Sequence, residues 1–167
     1  MDKTAFFALA FMYPYPGHSE NLLLESKKLL DEPEGKLVQN FAESLNSLSL
    51  SEQEELYTRT LDLNPMAAPY VGYQIWGESY KRGEFMAALN HEMIEDNVEL
   101  DGELPDHLVP VLRYLTIASS PLPELLEVLA QSVEKMHQSL KKEDVDNPFL
   151  YLFEAIARTF NLLQVIE

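Results

Sequence analysis

Leu122-Pro123-Glu124-Leu125-Leu126-Glu127-Val128-Leu129-Ala130-Gln131-Ser132-Val133-Glu134-Lys135-Met136-His137-Gln138-Ser139-Leu140 is the stretch that decides the fold. Its apolar residues Leu122, Leu125, Leu126, Leu129, Val133, Met136 and Leu140 fall three and four apart, the spacing that puts side chains on one face of an α-helix. The next stripe, Phe149, Leu152, Phe153, Ile156, Phe160 and Leu163, keeps the same period, and Asn147-Pro148 ahead of it supplies a cap and a first helical residue. Both stripes are expected to be core.

Toward the N-terminus the helical period persists. Leu108, Val111, Leu112 and Leu115 mark a helix entered through Pro105 at its first turn, with Pro110 early enough to be tolerated. Phe85, Leu89 and Met93 mark another, running to about Asn97. Leu37, Phe41, Leu45 and Leu48 form a further stripe, after which Ser51 and Glu54 read as a capping box opening a helix through Leu61. Thr4 to Met12 resembles the apolar region of a secretion signal, but its flank Asp2-Lys3 carries no net charge, and the bulky Tyr13-Pro14-Tyr15-Pro16 stands where a cleavage site would. A retained first helix is therefore expected. Only Val98 to Leu104 alternates like a hairpin, around Asp101-Gly102, and its arms are too short for a stable sheet, so a structured loop is expected there. The expected fold is all-α: a single-domain helical bundle of about seven to eight helices covering the whole chain. No apolar run reaches the roughly 20 residues of a membrane span, which points to a soluble, cytoplasmic protein.

Composition narrows the chemistry. The chain has no cysteine, which removes disulfides, thiolate metal sites and cysteine nucleophiles. Its 28 Asp and Glu outnumber 12 Lys and Arg, for a formal charge of −16, so it repels nucleic acid and anionic membranes and attracts basic partners. Of its four histidines, His91 lacks the second histidine of a zincin helix, and Glu134 with His137 is half of the paired signature a di-iron bundle needs. The glycines form no phosphate-cradling loop, and no serine sits in a nucleophile elbow. No catalytic residue, metal or cofactor is expected, and a binding protein is favoured over an enzyme.

The segment Glu95 to Asp106 holds six acids and no base. Pro105 stiffens its end, where Asp106 is placed to be a favourable charge in the first turn of a helix. Read with its surroundings, this segment carries a family resemblance that spans nearly the whole chain. Phe7-Ala8-Leu9 through Tyr15-Pro16, Tyr57-Thr58-Arg59-Thr60-Leu61-Asp62, Gly77-Glu78-Ser79-Tyr80-Lys81-Arg82-Gly83 and Glu103-Leu104-Pro105-Asp106-His107-Leu108, in that order, resemble the redox-enzyme maturation chaperones of the nitrate reductase delta-subunit type. These are related to the trimethylamine oxide and dimethyl sulfoxide reductase chaperones. Leu61 stands where that pattern has an aromatic residue and Arg113 where it has Glu.

The resemblance implies an all-helical chaperone whose partner is the catalytic subunit of a molybdopterin oxidoreductase, bound through its N-terminal leader peptide. The chaperone keeps that subunit competent for insertion of its molybdenum cofactor and, for an exported enzyme, delays translocation until assembly is complete. It further implies Glu103, Asp106 and His107 as contacts in a peptide groove, with Tyr57 and Asp62 lining the same region. Arg82 and Gly83 are expected to hold the local fold, through an ion pair from Arg82 to the acidic loop. Replacing Asp106 and His107 by Ala should then weaken client binding with folding nearly intact. A monomer and a helix-swapped dimer are both compatible. Two other classes fit the bare sequence: a helical adaptor for some other basic amphipathic helix, and a small-molecule bundle with a pocket near Trp76 and Tyr80.

Overall fold

In a computed structural model, residues 1–166 are described, with side chains described for residues 1–160. The described residues form nine α-helices and no strand. These are α1 (Lys3–Ala10), α2 (His18–Lys27), α3 (Gly35–Asn46), α4 (Leu50–Tyr57), α5 (Val71–Trp76), α6 (Tyr80–Glu95), α7 (Leu108–Ile117), α8 (Pro123–Glu143) and α9 (Phe149–Ile166). The all-α expectation holds. Among the described residues no helix is long and apolar enough to cross a membrane.

The two stripes that decided the fold pack on each other as α8 against α9. Leu125, Leu129, Val133 and Met136 are fully buried, as are Leu152, Phe153 and Ile156; Leu163 lies outside the residues whose side chains are described. Asn147 caps α9 by accepting the Phe149 amide at 2.9 Å, and its amide group donates to Thr60 Oγ1 at 2.8 Å, tying the helix start to the centre of the chain. Helix α1 is central, capped by Asp2, whose carboxylate accepts the Ala5 amide at 2.8 Å. Phe11 packs on Phe149 and Phe153 at ring-centroid distances of 6.0 and 5.7 Å, and Phe41 on Phe149 at 5.2 Å, joining α1, α3 and α9 in one aromatic core.

Some boundaries differ from expectation. The capping box is Ser49 with Glu52, two residues ahead of the Ser51 and Glu54 pair: the Ser49 hydroxyl accepts the Glu52 amide at 3.2 Å and the Glu52 carboxylate accepts the Ser49 amide at 3.0 Å. The α-helix ends at Tyr57, and a π-helical turn, Thr58–Asp62, carries the chain on, closed by the Leu63 amide donating to the Thr58 carbonyl at 2.9 Å. Helix α7 begins at Leu108, three residues beyond Pro105, with His107 as its cap. Residues 98–104 form a loop, as expected. Its tip is a tight turn in which Asp101 (φ 53°) and Gly102 (φ 83°) both take the left-handed conformation, and the Glu103 amide donates to the Leu100 carbonyl at 3.0 Å.

Candidate functional site

The acidic loop is anchored by one buried ion pair. Ser79 caps α6 and so places Arg82 in its first turn, from where the guanidinium reaches across α5 to Asp106. Arg82 Nε donates to Asp106 Oδ2 at 2.9 Å and Nη2 to Oδ1 at 3.1 Å, a two-pronged pairing that uses both carboxylate oxygens. The guanidinium also lies over the Tyr70 and Tyr73 rings, 5.7 and 5.6 Å from their centroids. The hydrogen bond to Asp106 raises the Arg82 pKa, against the opposing effect of burial. Gly72 makes the approach possible, because a Cβ there would sit 2.8 Å from Asp106 Oδ2 and 3.2 Å from Arg82 Cγ.

Backbone pairing fixes the neighbouring residues. The Val71 amide donates to the Asp106 carbonyl at 2.9 Å, and the Leu108 amide to the Pro69 carbonyl at 2.8 Å, so that Tyr70 and His107 face each other in an isolated antiparallel bridge. His107 Nδ1 accepts the Val109 amide at 3.1 Å, which puts the proton of the neutral ring on Nε2, 4.0 Å from Glu103 Oε2. The same Glu103 oxygen accepts the Tyr70 hydroxyl at 3.0 Å. Burial lowers the His107 pKa, with Glu103, Asp106 and Asp62 pulling the other way. Burial and the bond to Glu103 push Tyr70 up to about 12. Asp62, at the end of the π-turn, is raised by burial and by the charge of Glu103, with His107 opposing.

The structure brings Tyr57, Asp62, Glu103, Asp106 and His107 to one region, but in different roles. Asp106 is 0% exposed, and both its oxygens are taken by Arg82, so it is a structural anchor and not a surface contact. It also precedes the α7 cap instead of lying in the first turn, and the Pro105 ring is likewise outside the helix. Gly83 is exposed in the first turn of α6, its φ is not positive and a Cβ there would meet nothing, so it does not hold the local fold; the glycine that does is Gly72. Arg82 does hold it, by the expected ion pair to the end of the acidic loop. Tyr57 is buried and donates to the Phe11 carbonyl at 2.9 Å, so much of its role is to tie α4 to α1. Trp76 packs on Phe85 at 5.2 Å and Tyr80 is 84% exposed, and neither lines the depressions described next.

Three depressions surround the loop. The first, about 510 Å³, is lined by Asp62, Leu63, Tyr70, Tyr73, Glu78 and Leu104. The second, about 180 Å³, lies between Tyr13, Tyr57, Glu103, His107 and Arg113. The third, about 520 Å³, runs between α1 and α7 over Ala5, Leu9, Met12, Val98 and Ile117, with Glu99 and Asp101 on its border. Met12, Asp101 and Arg113 line both the second and third, which are therefore contiguous. The apolar third depression was not foreseen. Thr4 to Met12 announces a first helix, and nothing local says that α7 leaves the face of Ala5, Leu9 and Met12 uncovered.

This arrangement offers carboxylates, tyrosine hydroxyls and apolar side chains on adjoining concave surfaces, which suits a ligand that is both cationic and apolar. Among the described residues no group of three or more His, Cys, Asp or Glu is placed to hold a metal ion. In comparisons with known proteins the sequence matches no family model and no curated protein.

Proposed function

We propose that this protein is an assembly chaperone that binds the N-terminal leader of a molybdopterin oxidoreductase catalytic subunit and keeps that subunit competent for cofactor insertion. The observation that carries the reading is the contiguity of an apolar groove on α1 and α7 with the carboxylates of the acidic loop. Such leaders place arginines beside an apolar stretch, and each part has a matching surface here. Asp62 and Glu103 supply accessible carboxylates for a guanidinium, since Asp106 is already engaged by Arg82. The formal charge of −16 draws a basic leader toward the chain, and apolar burial then retains it.

The test is calorimetric titration with synthetic leader peptides of molybdenum oxidoreductases, against amphipathic basic peptides of unrelated sequence. The expected result is affinity in the micromolar range or better for one leader, with weaker binding of the unrelated peptides. The Asp62→Asn, Glu103→Gln double variant should lower that affinity about tenfold, the size of one or two charge-assisted contacts at a partly exposed site, without lowering the melting temperature. Equal affinity for unrelated basic helices would instead identify a general helical adaptor.

A further inference from the structure

Arg113 projects from α7 between the second and third depressions, where Nη1 donates to Asp101 Oδ2 and Nη2 lies 3.9 Å from Met12 Sδ. Among the described residues lining these two depressions it is the one permanently charged cation. Its partner Asp101 stands at the tip of the acidic loop. The guanidinium thus occupies, from within the chain, the place where the cation of a docked basic peptide would meet that loop.

We propose that the Arg113–Asp101 pair is a displaceable latch across this surface. An amphipathic basic segment docks its apolar side chains along α1 and α7, and a cation of that segment replaces Arg113 at Asp101, joining the second and third depressions into one groove. The occupant follows from complementarity: the floor is Ala5, Leu9, Met12, Val98 and Ile117, and the border carries Glu99 and Asp101. The latch is weak enough to open, because its side chains are 32% and 61% exposed, and exposed ion pairs contribute little to stability. The loop tip keeps its turn through the Glu103 to Leu100 backbone bond, so release of Asp101 need not unfold it. Arg113 then acts as an internal competitor: only a ligand that brings both a cation and apolar surface gains from displacing it, and a merely cationic or merely apolar segment does not. The inference rests on the reading above only in placing the ligand on this face, and it does not require the ligand to be a molybdoenzyme leader.

The test uses the full chain and two labelled synthetic helical peptides with the same leucine face, one bearing arginines on its polar face and one with glutamines in their place. Arg113→Gln should tighten the arginine peptide about two- to fivefold, the range allowed by freeing an exposed carboxylate, and leave the glutamine peptide unchanged. Asp101→Asn should abolish this gain when combined with Arg113→Gln. A circular-dichroism melt of each variant within a few degrees of the parent confirms that the fold is kept, and Arg113→Lys provides a second variant that keeps the charge and should bind like the parent. Weaker binding of the arginine peptide to Arg113→Gln, an equal change for both peptides, or no binding of either would overturn the latch. Leader binding that is insensitive to Arg113 would sink the latch and leave the chaperone reading standing, whereas a latch effect on the arginine peptide with no leader bound would do the reverse.

Discussion

Replacing Asp106 by alanine should destabilise the fold strongly, and the size follows from what is left behind. Asp106 is fully buried and answers Arg82 through two hydrogen bonds of 2.9 and 3.1 Å, while the Arg82 side chain is only 11% exposed. Truncation leaves a largely buried guanidinium between two tyrosine rings, at the edge of the first depression, with only the longer-range charge of Glu78 to answer it, and removing one partner of a buried pair costs about 3–5 kcal/mol. For a chain of this length each kcal/mol lowers the melting temperature by about 2–4 °C, so the expected drop is roughly 6–20 °C. Adding Arg82→Met removes the stranded charge and should return about 2 kcal/mol, which a double-mutant cycle in urea denaturation reads as coupling between the two positions. The single variant should also lose peptide binding in proportion to the fraction unfolded. If Asp106→Ala melts within about 2 °C of the parent while binding is lost, then Asp106 is a ligand contact and the anchor reasoning is refuted.

Two glycines in the same neighbourhood should behave oppositely. Gly72→Ala forces a Cβ to 2.8 Å from the Asp106 carboxylate and should destabilise by about 1–3 kcal/mol, whereas Gly83→Ala, whose Cβ meets nothing, should stabilise by about 0.5–1 kcal/mol, both measured by urea denaturation. His107 gives a pH dependence. Its folded-state pKa lies below the ordinary histidine value of 6.5, so the folded protein binds fewer protons than the unfolded chain; stability is full above pH 6.5 and is lost as pH falls from there through the lowered value. His107→Asn, which can still cap α7, should flatten part of that loss in melts between pH 7.5 and 5, while burial lowers His18 and His137 as well and leaves a residual slope. An unchanged pH profile in His107→Asn would show that the ring does not titrate in this way.

The acidic loop illustrates how far local reading reaches. Its turn at Asp101-Gly102 and its acidity were legible because each is set by residues close in sequence, whereas the ion pair to Arg82 was expected alongside the resemblance and not from spacing. The role of Asp106 was not. A carboxylate just ahead of a helix looks like an exposed dipole partner unless one knows that α5 and α6 close over it, with Gly72 leaving the room. The same holds for Gly83, which is prominent in sequence beside Lys81-Arg82 but faces open space. Two equivalent Ser-x-x-Glu spacings stand at the start of α4, and the helix uses Ser49 with Glu52, which nothing local distinguishes from Ser51 with Glu54.

What the sequence determined by itself is the helical content and the burial of the two long stripes, since a three-and-four apolar period gives each helix one face that has to leave water. Its balance of −16 also gives the chain a long-range attraction for basic over acidic molecules in any arrangement of the helices. Only the tertiary structure decided which carboxylates remain available. Asp106 is consumed by Arg82, Asp101 is held by Arg113 at the border of an uncovered apolar face of α1 and α7, and Asp62 and Glu103 stay accessible in the first and second depressions. Those assignments depend on distances between residues tens of positions apart, and ion pairing and burial act on such distances and not on sequence spacing.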